Sequence, residues 1–171
     1  MTTLEPKTST RRGTSLAAPM HELAAAAATD KPTLARTVRN AVRELDENTL
    51  RPVARRDAGV AFQPRTLLAL VSYCYARDIY GSTDIEEVMR RDTNFRAFCQ
   101  NEFPYAQTVA VFRRHNREAI RHCLVAALRF LANHTGLNGA DSDVGEVQLV
   151  EEANRRILKA MFIDTMELDG H

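Results

Sequence analysis

The sequence has no tryptophan, and only seven Phe and four Tyr among 171 residues. Six Pro and seven Gly leave it thinly punctuated, which favours long helices over many short strands. There is no Cys-x-x-Cys pair. The three cysteines, Cys74, Cys99 and Cys123, are odd in number and far apart. That pattern argues against a disulfide framework or a zinc ribbon and for reduced core thiols in a cytoplasmic protein. No run approaches the roughly 20 apolar residues of a membrane span, so no membrane association is expected. Arg11-Arg12 precedes an alanine-rich stretch, but Pro19, His21 and Glu22 interrupt it, which argues against an export signal. What is present is a hydrophobic content of 44%, enough to support a core and to exclude disorder throughout.

The net charge is only +1, yet the charge is unevenly placed. Residues 51–122 carry twelve basic and eight acidic side chains, a net of +4, and residues 123–171 carry four and eight, a net of −4. The segments, not the total, suggest a polyanionic partner.

Apolar residues recur at helical spacing almost everywhere. Residues 1–31 read as a frayed tail rich in Thr, Ser and Ala. Thr33 is a helix cap before Leu34, Val38, Ala41, Val42 and Leu45. Pro64 suits a first helical turn before Leu67, Leu68, Val71, Cys74 and Tyr75, and Gly81 is expected to stop that helix. Ser82 or Thr83 can cap the next helix, Thr83 with Glu86 having capping-box spacing ahead of Ile85, Val88 and Met89, and Asp92 can cap a short helix carrying Phe95, Phe98 and Cys99. After Pro104 one long stripe runs from Val109 through Phe112, Ile120 and Leu124 to Leu131. A glycine-rich loop follows, then a last helix over about Glu146 to Met161, capped by Asp143. The fold expected is all-α, a bundle of about five or six helices. The helical domain covers 32–135, and 136–171 supplies the loop, the final helix and an acidic tail.

Five short blocks occur in order within residues 60–117: Phe62-Gln63-Pro64-Arg65-Thr66-Leu67-Leu68, Tyr73-Cys74-Tyr75-Ala76, Ser82-Thr83-Asp84-Ile85-Glu86-Glu87, Arg91-Asp92-Thr93-Asn94-Phe95-Arg96, and Pro104 through Thr108 and Val109 to Phe112-Arg113-Arg114-His115. Together they resemble the N-terminal, InsH-type helical domain of bacterial insertion-sequence DDE transposases. The resemblance implies binding of double-stranded DNA at the inverted-repeat ends of a mobile element, by a helix-turn-helix-like unit. It implies no catalytic centre and no cofactor, because the family's catalytic domain does not fit in the remaining chain. The chain departs from the pattern at Tyr105, where an Asp is usual, at Gln107, where a Ser is frequent, and at Asp78, where a Gly is common.

Arg113, Arg117 and Arg121 recur every four residues, and Arg114 lies seven before Arg121. On one helix they would form a face able to bridge phosphates or, near the helix start, to reach base edges. Gln107 and Thr108 stand where a helix-turn-helix presents its first recognition side chains. Arg90, Arg91 and Arg96 are equally readable as phosphate contacts or as ion pairs of Glu86, Glu87 and Asp92. A solvated face pairing with Glu118 is the alternative for the basic helix, and for Arg51, Arg55 and Arg56 a solvated linker is favoured over contact with the DNA backbone.

His115, His122 and Cys123 lack the spacing that zinc demands, since helical ligand pairs usually sit four apart. Asp141, Asp143 and Glu152 fit a calcium loop only if Gly145 occupied a ligand position, so no metal is expected. Asp164, Glu167 and Asp169 read as a solvated acidic tail. The competing function is a non-enzymatic interaction module that pairs with itself or with a full-length transposase through Val150, Ile157 and Met161 on the last helix.

Overall fold

A computed structural model describes residues 32–54, 62–91, 99, 103–134 and 145–168. Among the described residues six α-helices form, α1 (Leu34–Glu44), α2 (Pro64–Ala76), α3 (Ser82–Arg91), α4 (Ala106–His115), α5 (Arg117–His134) and α6 (Glu146–Leu168), with a 3-10 turn at Glu47–Thr49. No β-strand forms among the described residues, and the fold is all-α. The expected short helix after Asp92, its Arg96, Arg55, Arg56, and the Asp141, Asp143 and Asp169 carboxylates lie outside the described residues.

Thr33 caps α1 as its sequence position suggests, its Oγ1 accepting the Arg36 N–H at 3.2 Å. Pro64 opens α2, where its missing N–H leaves no orphan donor. Every α2 residue from Leu67 to Ala76 is buried. A helix apolar all round belongs at the centre, and α2 packs against α1, α4 and α5. Helix α5 turns Ile120, Cys123, Leu124, Ala127 and Leu128 into the core and also packs on α1 and α6.

Gly81 does not stop α2. The helix ends at Ala76, five residues earlier, and Asp78 just beyond it adopts φ 63°. The Ile79 N–H bonds back to the Cys74 carbonyl at 2.9 Å and the Asp78 N–H to that of Tyr75 at 3.3 Å, a Schellman closure in which aspartate does the work usual for glycine. Gly81 serves close packing instead, since a Cβ there would stand 2.8 Å from the Asp84 carboxylate and 3.3 Å from Ile163 of α6.

The stripe expected as one helix from Val109 to Leu131 is broken at Asn116. Its side chain is buried and fully engaged: Oδ1 accepts the Arg51 N–H at 2.7 Å, and Nδ2 donates to the carbonyls of Arg51 and Phe112, each at 3.0 Å. Nothing in the local sequence punctuates this point, and the partner that stabilises the break lies 65 residues away.

Helix α6 runs on to Leu168, past the expected end near Met161. Asp164 belongs to the interior, not to a solvated tail, with only 5% of its surface exposed. It takes the place of the expected capping box of α3: its carboxylate accepts the Ser82 N–H at 2.8 Å and the Ser82 hydroxyl at 2.5 Å. Thr83 donates its hydroxyl to Glu167 instead, and Glu86 is used elsewhere.

Candidate nucleic-acid interface

Helix α4 buries Ala106, Val109, Ala110, Phe112 and Arg113. At 100° per residue, that leaves one outward strip: Gln107, Thr108, Val111, Arg114 and His115, of which Gln107, Arg114 and His115 are exposed and Thr108 and Val111 half-buried. The strip offers an amide, a hydroxyl, a branched apolar group and a guanidinium, the side-chain types that meet base edges in a major groove.

The start of α4 is held from another helix. Tyr105 at the cap supplies no side-chain bond, and the Glu86 carboxylate of α3 accepts the Ala106 N–H at 2.6 Å. A carboxylate there satisfies an orphan donor and complements the helix dipole. Glu86 also pairs with Arg90, whose guanidinium lies 5.8 Å from the centre of the Phe103 ring. Arg91 pairs with Glu87. Arg90 and Arg91 are thus placed in ion pairs along α3, whereas Gln107 and Arg114 are set on the open face of α4.

Arg113 requires a correction. It was expected beside Arg114 on a basic face, but only 2% of it is exposed. Its guanidinium pairs with Asp164 and donates to the Tyr75 hydroxyl at 2.7 Å. A group enclosed in this way presents no charge to a phosphate. Burial raises the Tyr75 phenol to about 12, an effect that Arg113 partly offsets.

The four-residue spacing of Arg113, Arg117 and Arg121 also fails to make one face, because two helices carry it. Arg121 pairs with Glu118. Arg117 opens α5 and is exposed, and neither it nor Arg114 has an ion-pair partner among the described residues. The Asn116 side chain grips the backbone of Arg51 on both sides, so the exposed Arg51 is brought to the same junction. A groove at this junction is lined by Leu45, Thr49, Arg114, His115, Asn116, Arg117, Glu118 and Ala119. The sequence offers Arg51 as a candidate backbone contact but does not show that it meets Asn116, 65 residues on. Val111 was not singled out either, since it lies off the apolar stripe and carries no polar group.

His115 and His122 stand on different helices, and His122 Nε2 lies 3.7 Å from Glu44. No group of three or more His, Cys, Asp or Glu among the described residues is arranged to hold a metal ion. No described helix is long and apolar enough to cross a membrane. None of the three cysteines is in a disulfide, all three are buried, and burial raises Cys123 to about 12.

No curated protein and no solved structure matches the chain. A family model does, over residues 25–115, a span that takes in α1 to α4 and ends at the last residue of α4. With more than half of its length matched, the chain belongs to the transposase domain (DUF772) family.

Proposed function

We propose that this protein binds double-stranded DNA through the outward face of α4, with the α4–α5 junction seated on the phosphate backbone. The observation that carries the reading is the face itself. Gln107, Thr108, Val111 and Arg114 form one solvent-facing strip, with His115 and Arg117 beside it at the α4–α5 junction and the Arg51 backbone held to that junction by Asn116; Arg51, Arg114 and Arg117 are outside any ion pair among the described residues. Arginines at the junction would position the duplex, and the strip would read it. Membership of a transposase family, and the resemblance to InsH-type N-terminal domains, make the end of a mobile element the natural target. The role assigned is recognition. The C-terminal carboxylates are used within the fold, Asp164 on Ser82 and Arg113 and Glu167 on Thr83, and we assign them no part in cutting DNA.

Fluorescence anisotropy on duplex DNA over a salt series tests this. Three phosphate contacts imply a log–log slope of about −2.7. Replacing Arg114 or Arg117 with Ala should flatten it by about one unit. Gln107→Ala should leave the slope alone and change the preferred sequence. No measurable affinity at low salt would reject the reading.

That outcome would favour a second one, an interaction module. Ile157 is buried and Val150 and Met161 are packed against the core, so the stripe first expected to serve is already occupied. A different set is exposed on α6: Val147, Leu158, Phe162 and Met166, with Phe162 at 66%.

A further inference from the structure

Asp164 lies on α6, outside the span that the family matches, yet it joins three parts of that span. One carboxylate holds the first residue of α3 through both the N–H and the hydroxyl of Ser82, at 2.8 and 2.5 Å, and the last turn of α4 through Arg113. Arg113 in turn donates to Tyr75 of α2 at 2.7 Å. The neighbourhood is braced by Arg156 of α6, which donates to the Tyr75 and Ala76 carbonyls at 2.7 and 3.3 Å, and by Lys159, 4.4 Å from the centre of the Tyr80 ring.

We infer that Asp164 is a positioning residue for the reading helix, so that the DNA-binding unit extends beyond the family span to include α6. The functional part rests on the DNA-binding reading above. Arg113 and Arg114 are consecutive, so fixing the inward direction of one fixes the outward direction of the other. Gln107 and Arg114 also border the cleft that Arg113, Met161, Asp164 and Thr165 line, so the reading side chains stand at the edge of the clamp. Side-chain ends lie about 5–6 Å from a helix axis, and a rotation of about 20° would carry them about 2 Å. That exceeds the tolerance of a two-pronged contact to a base.

The chemistry of the pair fits a directional role better than a purely adhesive one. Buried ion pairs add little over well-packed apolar groups, because both charges lose water. Here Arg113 Nε is also buried without a hydrogen-bond partner. What an apolar pair would not supply is a fixed direction for Arg113 and a fixed start for α3.

The test uses the full chain with Arg113→Met and Asp164→Leu combined, a change that removes both charges together, and with Asp164→Asn as the milder variant. Thermal unfolding reports folding, anisotropy reports affinity for a selected duplex and a scrambled one, and amide exchange reports residues 106–115. The double variant should stay folded and keep the wild-type salt slope, because the phosphate contacts are intact. Its preference for the selected duplex should fall about tenfold, and exchange in 106–115 should quicken. Asp164→Asn should fall between, and it carries the test if the double variant does not fold. A folded variant with wild-type preference and wild-type exchange would overturn the inference. If the wild type binds no duplex, the functional reading fails. The exchange arm then decides alone whether Asp164 positions α4: quickened exchange supports it and unchanged exchange rejects it.

Discussion

Asp78 shows how one side chain can stand in for a glycine and still be used. Its positive φ is costly for most L-residues, but Asp and Asn tolerate the left-handed region by bonding locally. Asp78 Oδ1 accepts the Tyr80 hydroxyl at 2.6 Å and lies 3.2 Å from Arg156 Nη1. Two opposed effects therefore meet at the position. Asp78→Ala loses both contacts and keeps the strain, and should cost about 1–2 kcal/mol. Asp78→Gly loses the same contacts but removes the strain, and should be more stable than the Ala variant by about 1 kcal/mol. Urea unfolding midpoints check the order, and an Ala variant as stable as the Gly variant would show that the backbone carries no strain. The sequence signalled the position as a departure from a family glycine. It did not signal the conformation, because an aspartate in a polar stretch reads equally well as any loop residue.

At the scale of the helices, the starts of α1 and α2 were legible, whereas those of α3 and α4 and several ends were not. Thr33 and Pro64 act on their own first turns, so their roles can be read locally. The break at Asn116 and the extension of α6 involve partners 65 to 84 residues away, which no periodicity reveals, and α2 ends on a left-handed Asp78 that residue type alone does not announce. The same distance explains the misplaced Arg113. A basic residue next to Arg114 reads as surface until Asp164, 51 residues on, supplies its counter-charge. Arg156 offers the sharpest test of how α6 supports the family span. It bonds the last carbonyls of α2, pairs with Glu152 at 2.6 Å and meets Asp78, all while half-buried. Arg156→Ala should destabilise the protein by about 1–3 kcal/mol, because it orphans carbonyls at a packed helix end. Amide exchange should quicken first at residues 77–80. Loss confined to α6, with the α2 end unchanged, would show that α6 is only an appendage.

Across the whole molecule, folding joins the basic and acidic segments of the sequence at Arg113 and Asp164, while Glu146 pairs with Arg129 and Glu152 with Arg155 and Arg156 inside the acidic segment. The arginines left outside such pairs at the α4–α5 junction are the ones a polyanion would meet. The core itself makes a separate prediction about pH. Burial raises Cys123, Tyr75 and Tyr80 each to about 12 and lifts Cys74 further, against ordinary values of 9.0 for the thiol and 10.0 for the phenol. An acid whose folded value is raised keeps its proton in the folded state after the unfolded chain has lost it. Above about pH 9 the unfolded chain therefore binds fewer protons, and stability must fall as pH rises. The contribution is fully present below the unfolded thiol value and declines from about pH 9 towards 12. Urea midpoints at pH 8, 9, 10 and 11 should decrease in that order, with the thiols unreactive towards an aromatic disulfide until unfolding. Cys123→Ala should lessen the pH slope by up to one proton, since one titrating group has been removed. A midpoint that holds constant from pH 8 to 11 would mean that these thiols and phenols reach water in the folded protein.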